Sequence, residues 1–345
     1  MKTLYVKGEK TLSAIHVGEK LEHVKKYLPH GKVIIITDEN VKKHYHSDFP
    51  AYPVITISTG EQIKNLATCE MIYNELIRLE ADRKTFILGI GGGIVCDITG
   101  FVASTYMRGI RFGFVSTTLL SQVDASVGGK NGVNFNSYKN MVGLFCQPEF
   151  VICDTSLLKT LSKKEISNGF AEIVKHGLIA DKEMFSYIES NVQKALNLDN
   201  EVITKLVLDS VKIKAETVQK DEKEKGERLK LNFGHTIGHA LEKLALDEKT
   251  SHGRAVSMGM VAAASFSKIR GLITKQECQR ISRLLLRLNL PVEHDIEPSL
   301  IFEAVKKDKK REKDMINFVF LAKIGQSIVE KITLHELKKY ILAEP

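Results

Sequence analysis

Five short runs rich in β-branched and apolar residues recur through the first half of the chain: Val33 to Thr37, Val54 to Ile57, Phe86 to Ile90, Phe112 to Ser116 and Phe150 to Cys153. Helix-period stretches lie between them, most clearly Ile63 to Leu79. This alternation predicts a mostly parallel sheet covered by helices on both faces, an architecture that binds nucleotides at the C-terminal ends of its strands. From about Lys163 the apolar residues fall at spacings of three and four, as in Val202, Leu206 and Val207, or Ile281, Leu284, Leu285 and Leu288. That spacing predicts a mainly α-helical second half. Its exception is Ile316 to Leu321 and Ser327 to Ile332, which read as a hairpin around Ile324-Gly325-Gln326. At roughly 150 residues per domain, 345 residues make two domains, expected over 1–162 (α/β) and 163–345 (helical).

With 43% hydrophobic and 27% charged residues, disorder is excluded, and 24 Gly without a repeat exclude collagen. The five cysteines contain no C-x-x-C pair and are odd in number, which excludes a disulfide scaffold and fits a reducing compartment. Met1 to Lys10 lacks an apolar core, and no stretch reaches the ~18 uncharged apolar residues of a spanning helix. A cytoplasmic protein with no membrane partner is expected. Fifty Lys and Arg against 42 Asp and Glu leave a charge of +8, which calls for an anionic partner. No helix-turn-helix, zinc-finger or aromatic stacking motif is present, so that partner is expected to be a small molecule and not nucleic acid.

Leu88-Gly89-Ile90-Gly91-Gly92-Gly93-Ile94-Val95-Cys96-Asp97 follows a strand and opens a helix, where backbone N–H groups can cradle a pyrophosphate. Ile94 stands where the dinucleotide fingerprint has its third glycine, and a glycine-rich turn also serves packing alone. Asp38, just past a strand end, can hydrogen-bond a ribose or cap a helix. Thr117 and Thr118 end another strand and can point into the same crevice.

In Asn232-Phe233-Gly234-His235-Thr236-Ile237-Gly238-His239 two histidines lie one helical turn apart on one face, a spacing that suits a metal. His252 follows at the start of Ala255 to Phe266, within reach if the two helices run antiparallel. Zinc with three protein ligands and an open fourth position would need a carboxylate as well. The candidate is Glu172, in Ala171-Glu172-Ile173-Val174-Lys175-His176, where Lys175 shares its helix face; the plainer alternative is a Glu–Lys pair on a solvated face. Arg108-Gly109, Gln122-Val123-Asp124, Gly128-Gly129-Lys130-Asn131 and Tyr138-Lys139-Asn140 complete the polar set, each by itself a loop.

Taken together, Gly91-Gly92-Gly93 with Asp97, Arg108-Gly109, Thr117 to Asp124, Ser126 to Lys130, Lys139-Asn140, Ala171-Glu172, Asn232 to His239, His252-Gly253 and Asp308-Lys309-Lys310 resemble the 3-dehydroquinate synthase family of sugar phosphate cyclases. The resemblance runs from about Asp38 to Lys310. It implies an N-terminal NAD-binding α/β domain, a C-terminal helical domain that binds metal and substrate, an active site in the cleft between them, and a homodimer. The metal, Zn2+ or Co2+ in its place, would sit on Glu172, His235 and His252, with His239 off the metal and aiding proton transfer; spacing alone would have put His235 and His239 on it together. NAD would be held by Asp38, Asn40, Glu61, Lys64, Gly92, Gly93, Asp97, Thr117, Thr118, Lys139 and Thr160. The substrate would meet Arg108, Asp124, Lys130, Asn140, Lys175, Lys214, Arg228, Asn232, Lys309 and Lys310. It would be 3-deoxy-D-arabino-heptulosonate 7-phosphate, whose phosphate and carboxylate suit clustered Lys and Arg. The implied reaction, of the carbon–oxygen lyase class, is transient oxidation by NAD, phosphate elimination, reduction and aldol closure to 3-dehydroquinate in the shikimate pathway.

Four positions depart from the family pattern: Cys96 for a usual Gly, Asn131 for Thr, Tyr138 for Gly and Arg254 for Glu. The rival readings are a sibling cyclase acting on another sugar phosphate, and a metal-dependent polyol dehydrogenase of related build.

Overall fold

The computed structural model describes residues 1–8, 11–136, 138–245, 251–306, 311–312 and 314–343. They form two compact units, residues 1–162 with 203–222, and residues 163–202 with 223–345.

The first unit holds β1 (Lys2–Lys7), β2 (Leu12–Val17), β3 (Val33–Asp38), α1 (Glu39–Tyr45), β4 (Val54–Ile57), α2 (Leu66–Arg78), β5 (Phe86–Gly91), α3 (Gly93–Thr105), β6 (Arg111–Ser116), β7 (Lys130–Phe135), β8 (Tyr138–Phe145) and β9 (Phe150–Cys153). Seven strands form one sheet in the order β1-β2-β9-β6-β5-β3-β4, parallel throughout except for the antiparallel β1–β2 edge. β3 and β5 are buried at almost every position, because helices cover both faces and polar residues would find no water there. One face packs Val33, Ile35, Phe86, Leu88 and Ile90 against Leu21, Val24, Val41 and Leu157. From β3 the chain steps outward to β4 and then returns across β3 to β5. The strand order therefore reverses at the β3/β5 boundary, where parallel sheets open a ligand crevice beyond their carboxyl ends.

All five strand candidates of the first half are strands, and the helix expected over Ile63 to Leu79 is α2 behind a 3-10 turn at Glu61–Ile63. Two departures stand out. The polar N-terminus forms β1, the edge strand, in which Val6 alone is buried, and the segments around Lys130 and Asn140 are not loops but the antiparallel pair β7–β8.

The second unit holds α4 (Lys163–Ala180), α5 (Lys182–Leu196), α7 (His235–Leu244), α8 (His252–Ile269), α9 (Lys275–Arg287), α10 (Pro298–Lys306), β10 (Arg311–Glu312), β11 (Met315–Lys323), β12 (Gln326–Thr333) and α11 (Leu334–Leu342). The helix between, α6 (Asn200–Lys220), joins the first unit from Ile203 onward. Its Val207, Val211 and Val218 are buried there, and Gln219 donates to the Tyr5 carbonyl at 2.8 Å. The hairpin read at Ile316 to Ile332 is β11–β12.

α4 is buried from Ile166 to Ile179, so its polar residues sit inside the unit. α7 and α8 run antiparallel: Gly234 lies against Met260, and Gly238 against Ala255 and Val256. Three glycines permit this approach. A Cβ on Gly238 would stand 3.0 Å from the Ala255 carbonyl oxygen, and one on Gly259 would collide with the Gly234 carbonyl oxygen. At the start of α8, a Cβ on Gly253 would come within 2.5 Å of the Asn168 backbone on α4. Side-chain-free contacts thus draw three helices together at the point where Glu172, His235 and His252 project.

Candidate active site

Glu172 is the hub of the second unit's polar centre. Its Oε1 lies 3.5 Å from Nε2 of His235 and 3.3 Å from Nε2 of His252, and Lys175, one turn along α4, is ion-paired with Oε2. Glu172 and Lys175 are shut off from water, so the pair is not on a solvated face; a single charge there would carry a large desolvation cost. Burial alone would raise Glu172, but Lys175 and the two imidazoles outweigh it and hold the carboxyl well below its ordinary range. Burial, aided by Lys175, pushes His235 well down. Burial also works to lower His252, but hydrogen bonds and charge from Glu172 and Glu242 prevail and hold it up at about 10.

Each imidazole turns Nε2 toward Glu172 and offers Nδ1 to an acceptor. For His235 this is the Phe233 carbonyl at 3.2 Å, and for His252 it is Glu242, 3.8 Å away. A metal that displaced the proton His252 shares with Glu172 would find the Nε2 atoms of both rings turned toward one point. Ligand atoms of Glu172, His235 and His252 lie within 4.8 Å of one another, and two nitrogens with one carboxylate form an open zinc-type donor set. His239, one turn along α7, takes another position: its ring stands edge-on to His235, and it groups with Glu242 and His252. Among the described residues, the group that holds His235 closes on Glu172 with His252. The rest of this unit's set is Arg228, buried in the Glu227–Asn232 turn, and Asn232, which donates to Glu224 at 2.6 Å. Lys309 and Lys310 lie outside the described residues.

Every residue assigned to NAD falls in the first unit, around the strand-order reversal. α3 opens at Gly93 with Gly92 as its N-cap and no capping side chain, which leaves first-turn N–H groups for an anion. There is no room for side chains: a Cβ on Gly92 would stand 2.9 Å from Thr118, and one on Gly93 would stand 3.1 Å from Ala125. Beside this turn, the Thr117 hydroxyl is buried without a hydrogen-bond partner. A phosphate-bearing cofactor fits such a cradle. Asp38 caps α1 by accepting from Val41 N–H at 2.9 Å, and burial raises its carboxyl. Asn40 lies in the first turn of α1, and Thr160 shares a 2.9 Å hydrogen bond with Tyr45. Asp97 is raised by burial despite its ion pair with Lys64 at 2.5 Å. Glu61 accepts from Asn134, which the sequence did not single out.

Of the substrate set in this unit, Lys214 on α6 is buried and donates to both the Asp124 carboxylate and the Asp124 carbonyl at 2.5 Å. Asn140 accepts from Lys64 at 2.5 Å, while Lys130 and Lys139 are exposed on β7 and β8. Arg108 sits in a turn where Met107, Arg108 and Gly109 all have positive φ (49°, 69° and 111°), strain of a kind found where a side chain must be presented in one direction.

The structure accounts for Asn131 and Cys96 among the four departures from the family pattern. Asn131 donates to the Gly129 and Cys146 carbonyls at 3.1 and 2.8 Å, and Gly100 on α3 leaves it the space it needs. Cys96 is buried behind Gly91, and its thiol is pushed up by burial. Tyr138 is half exposed. Nothing in the structure explains Arg254.

The sequence matches two family profiles end to end, 3-dehydroquinate synthase N-terminal over residues 54–168 and 3-dehydroquinate synthase C-terminal over residues 169–311. A curated 3-dehydroquinate synthase of Acetivibrio thermocellus is 42% identical over 323 residues, 91% of this chain and 89% of that protein. Among solved structures, 2-deoxy-scyllo-inosose synthase complexed with carbaglucose-6-phosphate, NAD+ and Co2+ superposes with a TM-score of 0.87 at 27% identity, covering 99% of each chain. The 2-epi-5-epi-valiolone synthase of Streptomyces hygroscopicus, with NAD+ and Zn2+ bound, does so with a TM-score of 0.88 at 25% identity, covering 99% of this chain and 98% of that one. The fold is thus shared with cyclases of several substrates, whereas both profiles and the curated relative agree on one of them: the chain belongs to the 3-dehydroquinate synthase family.

Proposed function

We propose that the chain converts 3-deoxy-D-arabino-heptulosonate 7-phosphate to 3-dehydroquinate and phosphate, using NAD and a divalent metal, zinc first among them, and that it does so as a cytoplasmic homodimer. The observation that carries the reading is the convergence of His235 and His252 on Glu172 inside a buried helical centre. Family membership and the NAD+ and metal held by the solved relatives support it. No described helix is long and apolar enough to cross a membrane.

On this reading Glu172, His235 and His252 hold the metal. Bound together, NAD supplies reversible hydride transfer and the metal supplies Lewis acidity toward a hydroxyl and its carbonyl. Lys175 keeps Glu172 ionised as a ligand. The Phe233 carbonyl holds the His235 ring by a hydrogen bond, and Glu242, 3.8 Å from Nδ1 of His252, faces that ring as a charge partner. His239 stands one turn from His235 and would hold or pass a proton. In the first unit, Asp38, Asn40, Glu61, Lys64, Asp97, Thr117, Thr118, Lys139 and Thr160 would hold NAD together with Gly92 and Gly93. Arg108, Lys130, Lys214, Arg228, Lys309 and Lys310 neutralise the substrate's phosphate and carboxylate, and Asp124, Asn140 and Asn232 orient its hydroxyls.

The test is product formation with the nicotinamide absorbance followed in the same cuvette. Dehydroquinate formation with no net NADH is expected. Stoichiometric NADH without phosphate release would mean a polyol dehydrogenase instead, and release only from a different sugar phosphate would mean a sibling cyclase.

A further inference from the structure

We propose that Asn134 is a positioning residue that sets the substrate-side Asn140 and the NAD-side Glu61 in one frame; the proposal rests on the roles given to those two residues above. The β7–β8 ladder breaks register between Val133 and Phe135. At that break Asn134 pairs instead with the segment before α2: it bridges to Asn65, and its N–H donates to the Lys64 carbonyl at 2.8 Å. Three β8 residues, Lys139, Asn140 and Met141, stand opposite this one β7 residue, and the break frees Asn134 from the ladder.

Both ends of the Asn134 amide are used. Oδ1 accepts from the Asn140 N–H at 2.9 Å, and Nδ2 donates to Glu61 Oε1 at 2.8 Å. The orientation is forced, because a backbone N–H can only donate and a carboxylate can only accept. Asn140 is held at φ 50°, a left-handed conformation that a non-glycine residue keeps only when its surroundings fix it. Its side chain then meets Lys64 Nζ at 2.5 Å, and the same ammonium lies 2.5 Å from Asp97 Oδ2. The contacts close a ring: Asn134 to Lys64 through backbone, Lys64 to Asn140 through side chains, and Asn140 back to Asn134. Asn134 bonds to neither reacting group, yet it fixes one residue on each side.

The test uses the NAD- and zinc-loaded enzyme and reads three quantities: NAD affinity, KM for 3-deoxy-D-arabino-heptulosonate 7-phosphate, and melting temperature. Asn134→Ala is expected to weaken NAD binding and to raise KM, each about tenfold for the loss of a charge-assisted and a strain-holding hydrogen bond. Asn134→Asp keeps the acceptor for Asn140 but sets a second carboxylate against Glu61. It is expected to leave KM within about threefold of the parent while NAD affinity falls about tenfold. Glu61→Ala and Asn140→Ala are the reference variants for the NAD and substrate sides. If the references act as assigned while Asn134→Ala moves neither constant, or Asn134→Asp moves both alike, the proposal is overturned and the assignments stand. If the references leave their own ligands unaffected, the assignments fail and the proposal fails with them. A lowered melting temperature with no split between the two Asn134 variants would mark a merely structural role and overturn the proposal.

Discussion

Lys175 neutralises Glu172 from one turn along α4, at two positions closed to solvent. The pair settles how an acid can sit at the centre of a helical unit: its charge is balanced inside the same helix before any other group is considered. Breaking a buried pair from one side strands the other charge, at a cost of about 3–5 kcal/mol. Lys175→Met is therefore expected to destabilise the metal-free protein by about that much. On the proposed reading zinc would bind only the folded site and take over part of the neutralisation, so the loss is expected to shrink when metal is present. Urea unfolding with and without zinc checks this; an equal loss in both would contradict it.

Close packing of α7 on α8 sets the distance between His235 and His252. Gly259→Ala would drive a methyl group into the Gly234 carbonyl and is expected to cost about 1–3 kcal/mol and to lower zinc content sharply. Gly271 offers the control, because it has φ 72° and no atom within 4 Å of an added Cβ. Gly271→Ala is expected to cost about 1–2 kcal/mol through backbone strain alone and to keep full metal content. Metal analysis by mass spectrometry separates the two.

Acid stability depends on a site far in sequence from Glu172, His235 and His252. Glu19 is buried beside Lys20, His23 and Tyr27. Burial alone would raise it, but hydrogen bonds from Tyr27, His23 and the Lys20 N–H prevail and hold it down at about 2. A carboxyl lowered in the folded state stabilises above its unfolded pKa and loses that contribution as the pH falls through its folded one. Glu19→Gln is thus expected to cost about 2–3 kcal/mol above pH 5, with the difference from the parent closing between about pH 4.5 and 2. Denaturant midpoints across that range check the sign; a gap that widens on acidification would contradict it.

Much of this was legible in the sequence, for physical reasons that differ by element. β3 and β5 are covered on both faces and so are apolar throughout, and the Gly91-Gly92-Gly93 turn follows from how near α3 lies to its neighbours. β1 escaped notice because Val6 alone of that edge strand is buried, and β7–β8 because its glycines and lysines are also the vocabulary of loops. The grouping of α6 with the first unit cannot be read from its own periodicity, since the partners of Lys214 and Gln219 lie at Asp124 and Tyr5. In the metal-type cluster, helix spacing pointed to His235 and His239 as a pair. The geometry turns His235 and a histidine on the next helix toward the same Glu172 oxygen, and the signal for that lay in Gly238, Gly253 and Gly259, which mark where helices touch. Asn134 gave no signal, because its role depends on a register break visible only once both strands are paired.

The most direct test of the account is phosphate release from 3-deoxy-D-arabino-heptulosonate 7-phosphate with catalytic NAD, followed before metal stripping, after it, and after zinc is restored. Turnover is expected to require NAD, to stop on stripping, to return with zinc, and to fall at least about a hundredfold in Glu172→Gln. No release from a folded, zinc-loaded sample, or release that survives stripping unchanged, would contradict it.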